Sequence, residues 1–70
     1  MKYEVEVVNS KGKIENPKSS NDIRRLKSWI MKHYPRSFCM PILPSETIKN
    51  WYIFKCMQLD GTKIYIKRNL

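Results

Sequence analysis

Three stretches of the chain have a clear rhythm of apolar and polar positions. The first, KYEVEVV at residues 2–8, alternates. Tyr3, Val5 and Val7 fall on one side and Lys2, Glu4 and Glu6 on the other, the period of a half-buried strand. Its acidic side is placed to meet lysines of a neighbouring strand, a contact worth about 0.2–1 kcal/mol.

The second rhythm is helical. Ile23, Leu26 and Ile30 recur at helix spacing, and Trp29 with His33 or Tyr34 widens the stripe. The pattern predicts a helix over residues 21–33. Ser19 or Ser20 is placed to cap it and Asp22 falls in its first turn. Lys32 and His33 suit its carbonyl end, and Pro35 stops it, because a residue before proline avoids the α region. Arg24, Arg25, Lys27, Ser28 and Lys32 occupy the other faces.

The third stretch, WYIFKCMQLDGTKIYIKR at residues 51–68, reads as two strands joined at Asp60-Gly61. Two registers compete. A two-residue turn at Asp60-Gly61 pairs Leu59 with Thr62 and sets Met57 against Ile64. A turn at Leu59-Asp60 with Gly61 in a left-handed bulge pairs Gln58 with Thr62 and sets Cys56 against Ile64. The bulge gathers Tyr52, Phe54, Cys56, Ile64 and Ile66 on one apolar face. The tight turn leaves Lys55 among Ile53, Met57, Ile64 and Ile66, where an unpartnered lysine is costly. The bulge is therefore expected, with an outer face of Trp51, Ile53, Lys55, Met57, Lys63, Tyr65 and Lys67.

The remaining segments are connectors. Residues 9–12 (NSKG) form a turn, and Lys13-Ile14-Glu15 is too short a run to assign. Residues 16–21 (NPKSSN) carry turn chemistry that leads into the helix. Residues 36–44 alternate but contain Pro41 and Pro44, which restrict them to an edge strand or an extended connector. Residues 45–50 (SETIKN) suit a helical turn or a loop. Together these elements predict a single small α+β domain, residues 1–70. It has a three- to four-stranded, largely antiparallel sheet, one packed α-helix and a C-terminal β-hairpin.

Composition narrows the function. A chain of 70 residues has one core and little stability to spare, about 3–5 kcal/mol net. An adhesive surface suits it better than a strained catalytic cleft. The net charge is +8 and is concentrated in two segments. Residues 18–36 carry Lys18, Arg24, Arg25, Lys27, Lys32 and Arg36 against Asp22 alone. Residues 51–70 carry Lys55, Lys63, Lys67 and Arg68 against Asp60. Such a field attracts nucleic acid, anionic headgroups or an acidic protein surface.

No apolar run is long enough to span a bilayer, and Met1 does not open an export signal. The two cysteines are then expected as free thiols in a reducing cytoplasm. A Cys39–Cys56 disulfide would need an oxidising compartment.

The candidate chemistry is binding. No acidic residue lies between Asp22 and Glu46, so the helix cations lack the carboxylate partners that a merely solvated helix often carries. With Arg36 they make one candidate surface: Arg24, Arg25, Lys27 and Lys32. The second is the hairpin's outer face, where Trp51 and Tyr65 interleave with Lys55, Lys63, Lys67 and Arg68; aromatics there can stack bases while cations meet phosphate. Against this, Ile53 and Met57 fit better as core under the helix, and Trp29 and Tyr34 as core or core edge. His33, Cys39 and Cys56 lack zinc-ligand spacing and a fourth partner, and no orienting group makes Cys39 a nucleophile. There is no phosphate-cradling glycine loop.

The expectation is a non-enzymatic basic module, without cofactor, that contacts DNA or RNA mainly through phosphate and with low sequence specificity. The alternative is a small regulator or inhibitor that docks its basic face on an acidic patch of a larger protein.

Overall fold

The computed structural model describes residues 2–46 and 51–69. The elements given in full by the described residues follow in the order β1 (Lys2–Val8), β2 (Ile14–Ser20), α1 (Ile23–His33), β3 (Phe38–Cys39), β4 (Tyr52–Met57) and β5 (Lys63–Asn69). The strands form one antiparallel sheet in the order β2-β1-β5-β4-β3. The α+β class holds, with more strands than the sequence pattern predicts. The C-terminal strand lies at the centre, between β1 and β4.

The path of the chain explains the layering. β2 and β3 are opposite edges of the sheet, and α1 is the link between them. The helix packs on one face of the sheet, with Leu26 and Ile30 turned toward it.

That face holds Val5 and Val7 of β1, Ile64 and Ile66 of β5, and Cys56 of β4, all buried with Leu26 and Ile30 of the helix. Each such aliphatic side chain contributes about 1.5–3 kcal/mol on burial. Tyr3, Ile23, Trp29, Tyr34, Ile53 and Phe54 close the rim.

The hairpin takes the bulge register. Cys56 faces Ile64, and Met57 faces Lys63. The Gln58 N–H donates to the Thr62 carbonyl at 2.8 Å and the Gly61 N–H to Gln58 at 3.0 Å, with Gly61 at φ +93°. Upstream the strand departs from simple alternation. A second bulge between Tyr52 and Phe54 turns Tyr52 away from the helix, onto the face of Lys55, Tyr65 and Lys67. Ile53 stays with the core. Met57, in register with Lys63, lies on the sheet face away from the helix rather than under it.

Two strands arise where the sequence offers little pattern. Residues 16–20 belong to β2 rather than to a turn. Lys18 pairs with Val5 and Glu15 with Val7, so Asn16 and Pro17 together oppose Glu6 in a bulge. There the missing proline N–H costs no ladder bond. Asn16 adds a side-chain bond to the Val5 carbonyl at 3.3 Å. β2 is exposed almost throughout, so backbone pairing rather than burial holds it. β3 is an edge strand of two residues.

The helix starts later than expected. Asp22, not a serine, is the N-cap: its Oδ1 accepts the Arg24 N–H at 2.9 Å, while Ser20 Oγ accepts the Asp22 N–H. The bond from the Arg24 N–H holds the Asp22 carboxyl below its ordinary range, with the Arg24 side chain adding to the effect. At the other end Tyr34 caps and the chain turns at Pro35. Residues 44–46 are helical; the rest of the predicted 45–50 segment, residues 47–50, lies outside the described residues.

Candidate nucleic-acid interface

The two faces of the sheet treat their charges differently. On the face away from the helix, Glu4, Glu6, Lys55, Tyr65 and Lys67 fall on alternate positions of β1, β4 and β5, and Tyr52 joins them through its bulge. Lys67 Nζ lies 3.5 Å from Glu4 and 3.4 Å from Glu6. The Tyr52 hydroxyl donates to Glu6 and its ring stacks on Tyr65 at 3.9 Å.

Glu46 arrives from the β3–β4 connection and seals this cluster. Its Oε1 is 3.0 Å from Lys55 Nζ and its Oε2 accepts the Tyr65 hydroxyl at 2.9 Å. Burial alone would raise the Glu46 carboxyl. The bonds from Lys55, the Leu43 N–H and Tyr65 outweigh it, and the group is held below its ordinary value. Burial, then the bond to Glu46, pushes the Tyr65 phenol up to about 12. Tyr52 is raised further, by burial first and Glu6 second.

This geometry corrects the hairpin surface expected from sequence. Lys55 is 7% and Tyr65 5% exposed, and both are turned into a closed polar cluster. Lys67 is shared between two carboxylates. Tyr65 offers no face for a base to stack on. Lys63 and Arg68 are half-buried at β5, with Arg68 in register with Tyr3. Of the aromatic pair only Trp51 is open, at 50% exposure; it sits at φ 58°, with its carbonyl accepting the Arg68 N–H. The acidic side of β1, by contrast, pairs across to a lysine as its alternation implied.

The helix cations divide by flank. Lys27 leans toward β4, its Nζ 5.1 Å from the centre of the Phe54 ring. Arg24, Arg25, Ser28, Trp29 and Lys32 face β2, where they join Lys18 and Asp22 around an open groove of about 570 Å³. Register explains why Lys18 belongs there. It pairs with Val5, a core residue, so it lies on the helix side of the sheet, but at the edge strand where the helix no longer covers it. Arg36 is exposed in the turn after the helix, outside this lining.

Among the described residues, Lys18, Arg25 and Lys32 form no salt bridge. Asp22 is the one acid in the groove wall. Its charge is engaged by the helix N-terminus and by Arg24, whose Nε lies 3.4 Å away. Trp29 stands in the wall with its ring stacked on His33 at 4.3 Å. The His33 Nδ1–H donates to the Trp29 carbonyl at 2.9 Å, which holds the pair as one rigid aromatic block.

Lys18 and Trp29 were not legible as site residues. Lys18 sits in a segment that reads as a turn, and Trp29 sits on the apolar stripe. The signal for both is the strand pairing of β2, which brings an edge-strand lysine beside the helix flank. Among the described residues, no group of three or more His, Cys, Asp and Glu is arranged to hold a metal ion, and no helix is long and apolar enough to cross a membrane. No protein-family model, curated protein or solved structure matches the chain.

Proposed function

We propose that this protein is a non-enzymatic module that binds nucleic acid through the groove between α1 and β2. Phosphate would be met by Lys18, Arg24, Arg25 and Lys32, with Trp29 in the groove wall as a surface for a base or sugar. The observation that supports this reading most is the contrast in neutralisation. Lys55 and Lys67 on the far face are each held by carboxylates, while Lys18, Arg25 and Lys32, gathered around one groove, form no salt bridge among the described residues. Cations left unpaired along a groove are what a polyanion backbone requires, since each contact releases condensed counterions. The aromatic wall adds stacking that tolerates any base, worth about 1–3 kcal/mol per base. Contacts made mainly to phosphate position the strand without reading its bases, so low sequence selectivity is expected.

Four phosphate contacts imply a log–log salt slope near −3 for single strands and about −3.6 for duplex. Affinity should then fall roughly 50- to 150-fold between 50 and 200 mM salt. The test is a salt titration against single- and double-stranded DNA and RNA beside heparin, with Lys18→Glu, Arg25→Glu and Lys32→Glu. Lys11→Glu, an exposed turn position, serves as the control. Each groove reversal should flatten the slope by about 1, and Lys11→Glu should leave it nearly unchanged. A salt-independent affinity, or groove variants no weaker than the Lys11 control, would refute the proposal. Binding no better than to heparin would instead favour docking on an acidic protein surface.

A further inference from the structure

Cys39 and Cys56 lie directly opposite one another in the β3–β4 pair. The flanking bond runs from the Met40 N–H to the Lys55 carbonyl at 3.0 Å, one residue beyond Cys39 and one before Cys56. That places the two cysteines at a non-hydrogen-bonded position of the antiparallel ladder, where facing Cα atoms come within about 4.5 Å. This is inside the roughly 4.4–6.8 Å that a disulfide spans. Opposed residues project to the same side of a sheet, so the two thiols point the same way. They are free thiols of opposite character: Cys39 is exposed and Cys56 is buried in the hydrophobic core cluster. Burial, followed by the neighbouring Cys39, pushes the Cys56 thiol up to about 11.

We infer that Cys39 and Cys56 form a reversible thiol–disulfide site, with Cys39 as the point of attack and Cys56 as the resolving thiol, and with low-molecular-weight disulfides as the oxidant. Cys39 loses its proton and attacks one sulfur of the reagent RS–SR. One RS⁻ departs and takes up a proton, leaving Cys39 as a mixed disulfide. Cys56 then loses its proton and attacks the Cys39 sulfur, expelling the second RS⁻. The protein gives up two protons and two electrons, and the reagent leaves as two RSH. Burial keeps Cys56 from meeting the reagent first, while the strand pairing holds it against the Cys39 sulfur.

The bond would join the edge strand to β4 and close the loop that carries Glu46. Without it, β3 is tied to β4 by a pairing of only two residues. The oxidised form should therefore melt roughly 10 °C higher than the reduced form.

The test is incubation of the intact protein with glutathione disulfide, followed by intact mass, thiol alkylation under denaturing conditions and thermal melting. The expected product is a monomer lighter by two hydrogens, with no glutathione attached, no alkylatable thiol and a raised Tm that dithiothreitol reverses. A persistent glutathione adduct on Cys39, a disulfide-linked dimer or an unreacted dithiol would each overturn the inference. Cys56→Ser should stop at the Cys39 adduct. Cys39→Ser should stay unmodified, and an adduct on Cys56 in that variant would overturn the assigned order of attack. The wild-type mass result decides the matter even if either variant folds poorly.

Discussion

Glu46→Gln removes one negative charge and keeps the shape of the side chain. In the native protein the carboxylate satisfies Lys55 at 3.0 Å, the Tyr65 hydroxyl at 2.9 Å and the Leu43 N–H at 3.1 Å. An amide has a single acceptor oxygen, and its NH₂ cannot receive a bond from an ammonium or a hydroxyl. The amide oxygen can stay with Lys55 and the Leu43 N–H while the NH₂ turns to the Tyr65 hydroxyl, which accepts from it. What is lost is the negative charge opposite Lys55, whose side chain is 8% exposed. Breaking a fully buried ion pair costs about 3–5 kcal/mol. Glu46 itself retains 17% exposure, so water recovers part of that loss, and about 2–3 kcal/mol is expected. In a domain of this size that lowers Tm by roughly 10–20 °C.

The assay is thermal and urea unfolding of Glu46→Gln, Lys55→Met and the double variant. Lys55→Met removes the charge that Glu46 serves, so the double variant should recover at least about 1 kcal/mol relative to the sum of the singles. A Glu46→Gln cost under about 0.5 kcal/mol, the range of ordinary surface changes, with additive singles would show that the cluster is not closed. Lys55 would then be free to join a binding surface after all.

The same carboxylate sets an acid limit. Its folded-state pKa lies below the ordinary 4.5, so its contribution is complete above about pH 4.5 and is lost as pH falls through the lower folded value; an acid unfolding profile that matches Glu46→Gln would contradict this. Gly61→Ala should cost about 1 kcal/mol, because φ is +93° and the added Cβ meets nothing closer than Ser10 at 4.0 Å, leaving only backbone strain. A denaturation midpoint unchanged from wild type would argue against the bulge turn. Leu26→Ala, at a fully buried position on the core side of the helix, should cost about 2–5 kcal/mol, read as a large fall in the urea midpoint. A cost under about 0.5 kcal/mol, the range of ordinary surface changes, would mean that the helix is not the element that seals the core.

What was legible in the sequence is what local rules govern. Alternation in residues 2–8, the helical stripe of Ile23, Leu26 and Ile30, and the bulge turn at Gly61 each depend on neighbours within a few residues. Even so, the cost of an unpartnered lysine does not by itself select the bulge. Lys55 is buried in that register too, and it is tolerated because Glu46 meets it from a segment nine residues upstream in the chain. What only the tertiary structure decided depends on pairing between distant segments. β2 carries no burial pattern because it is an edge held by backbone bonds to β1, and Pro17 is admitted by a bulge that no periodicity announces. The Tyr52 bulge reverses one side chain and thereby builds the cluster with Glu6 and Tyr65. Strand order brings Glu4, Glu6 and Glu46 to the lysines that composition alone left unpaired, and it sets Lys18 beside Arg25 and Lys32. The sequence determined how much positive charge the protein carries; the order of its strands decided which of that charge is neutralised and which lies open along a groove.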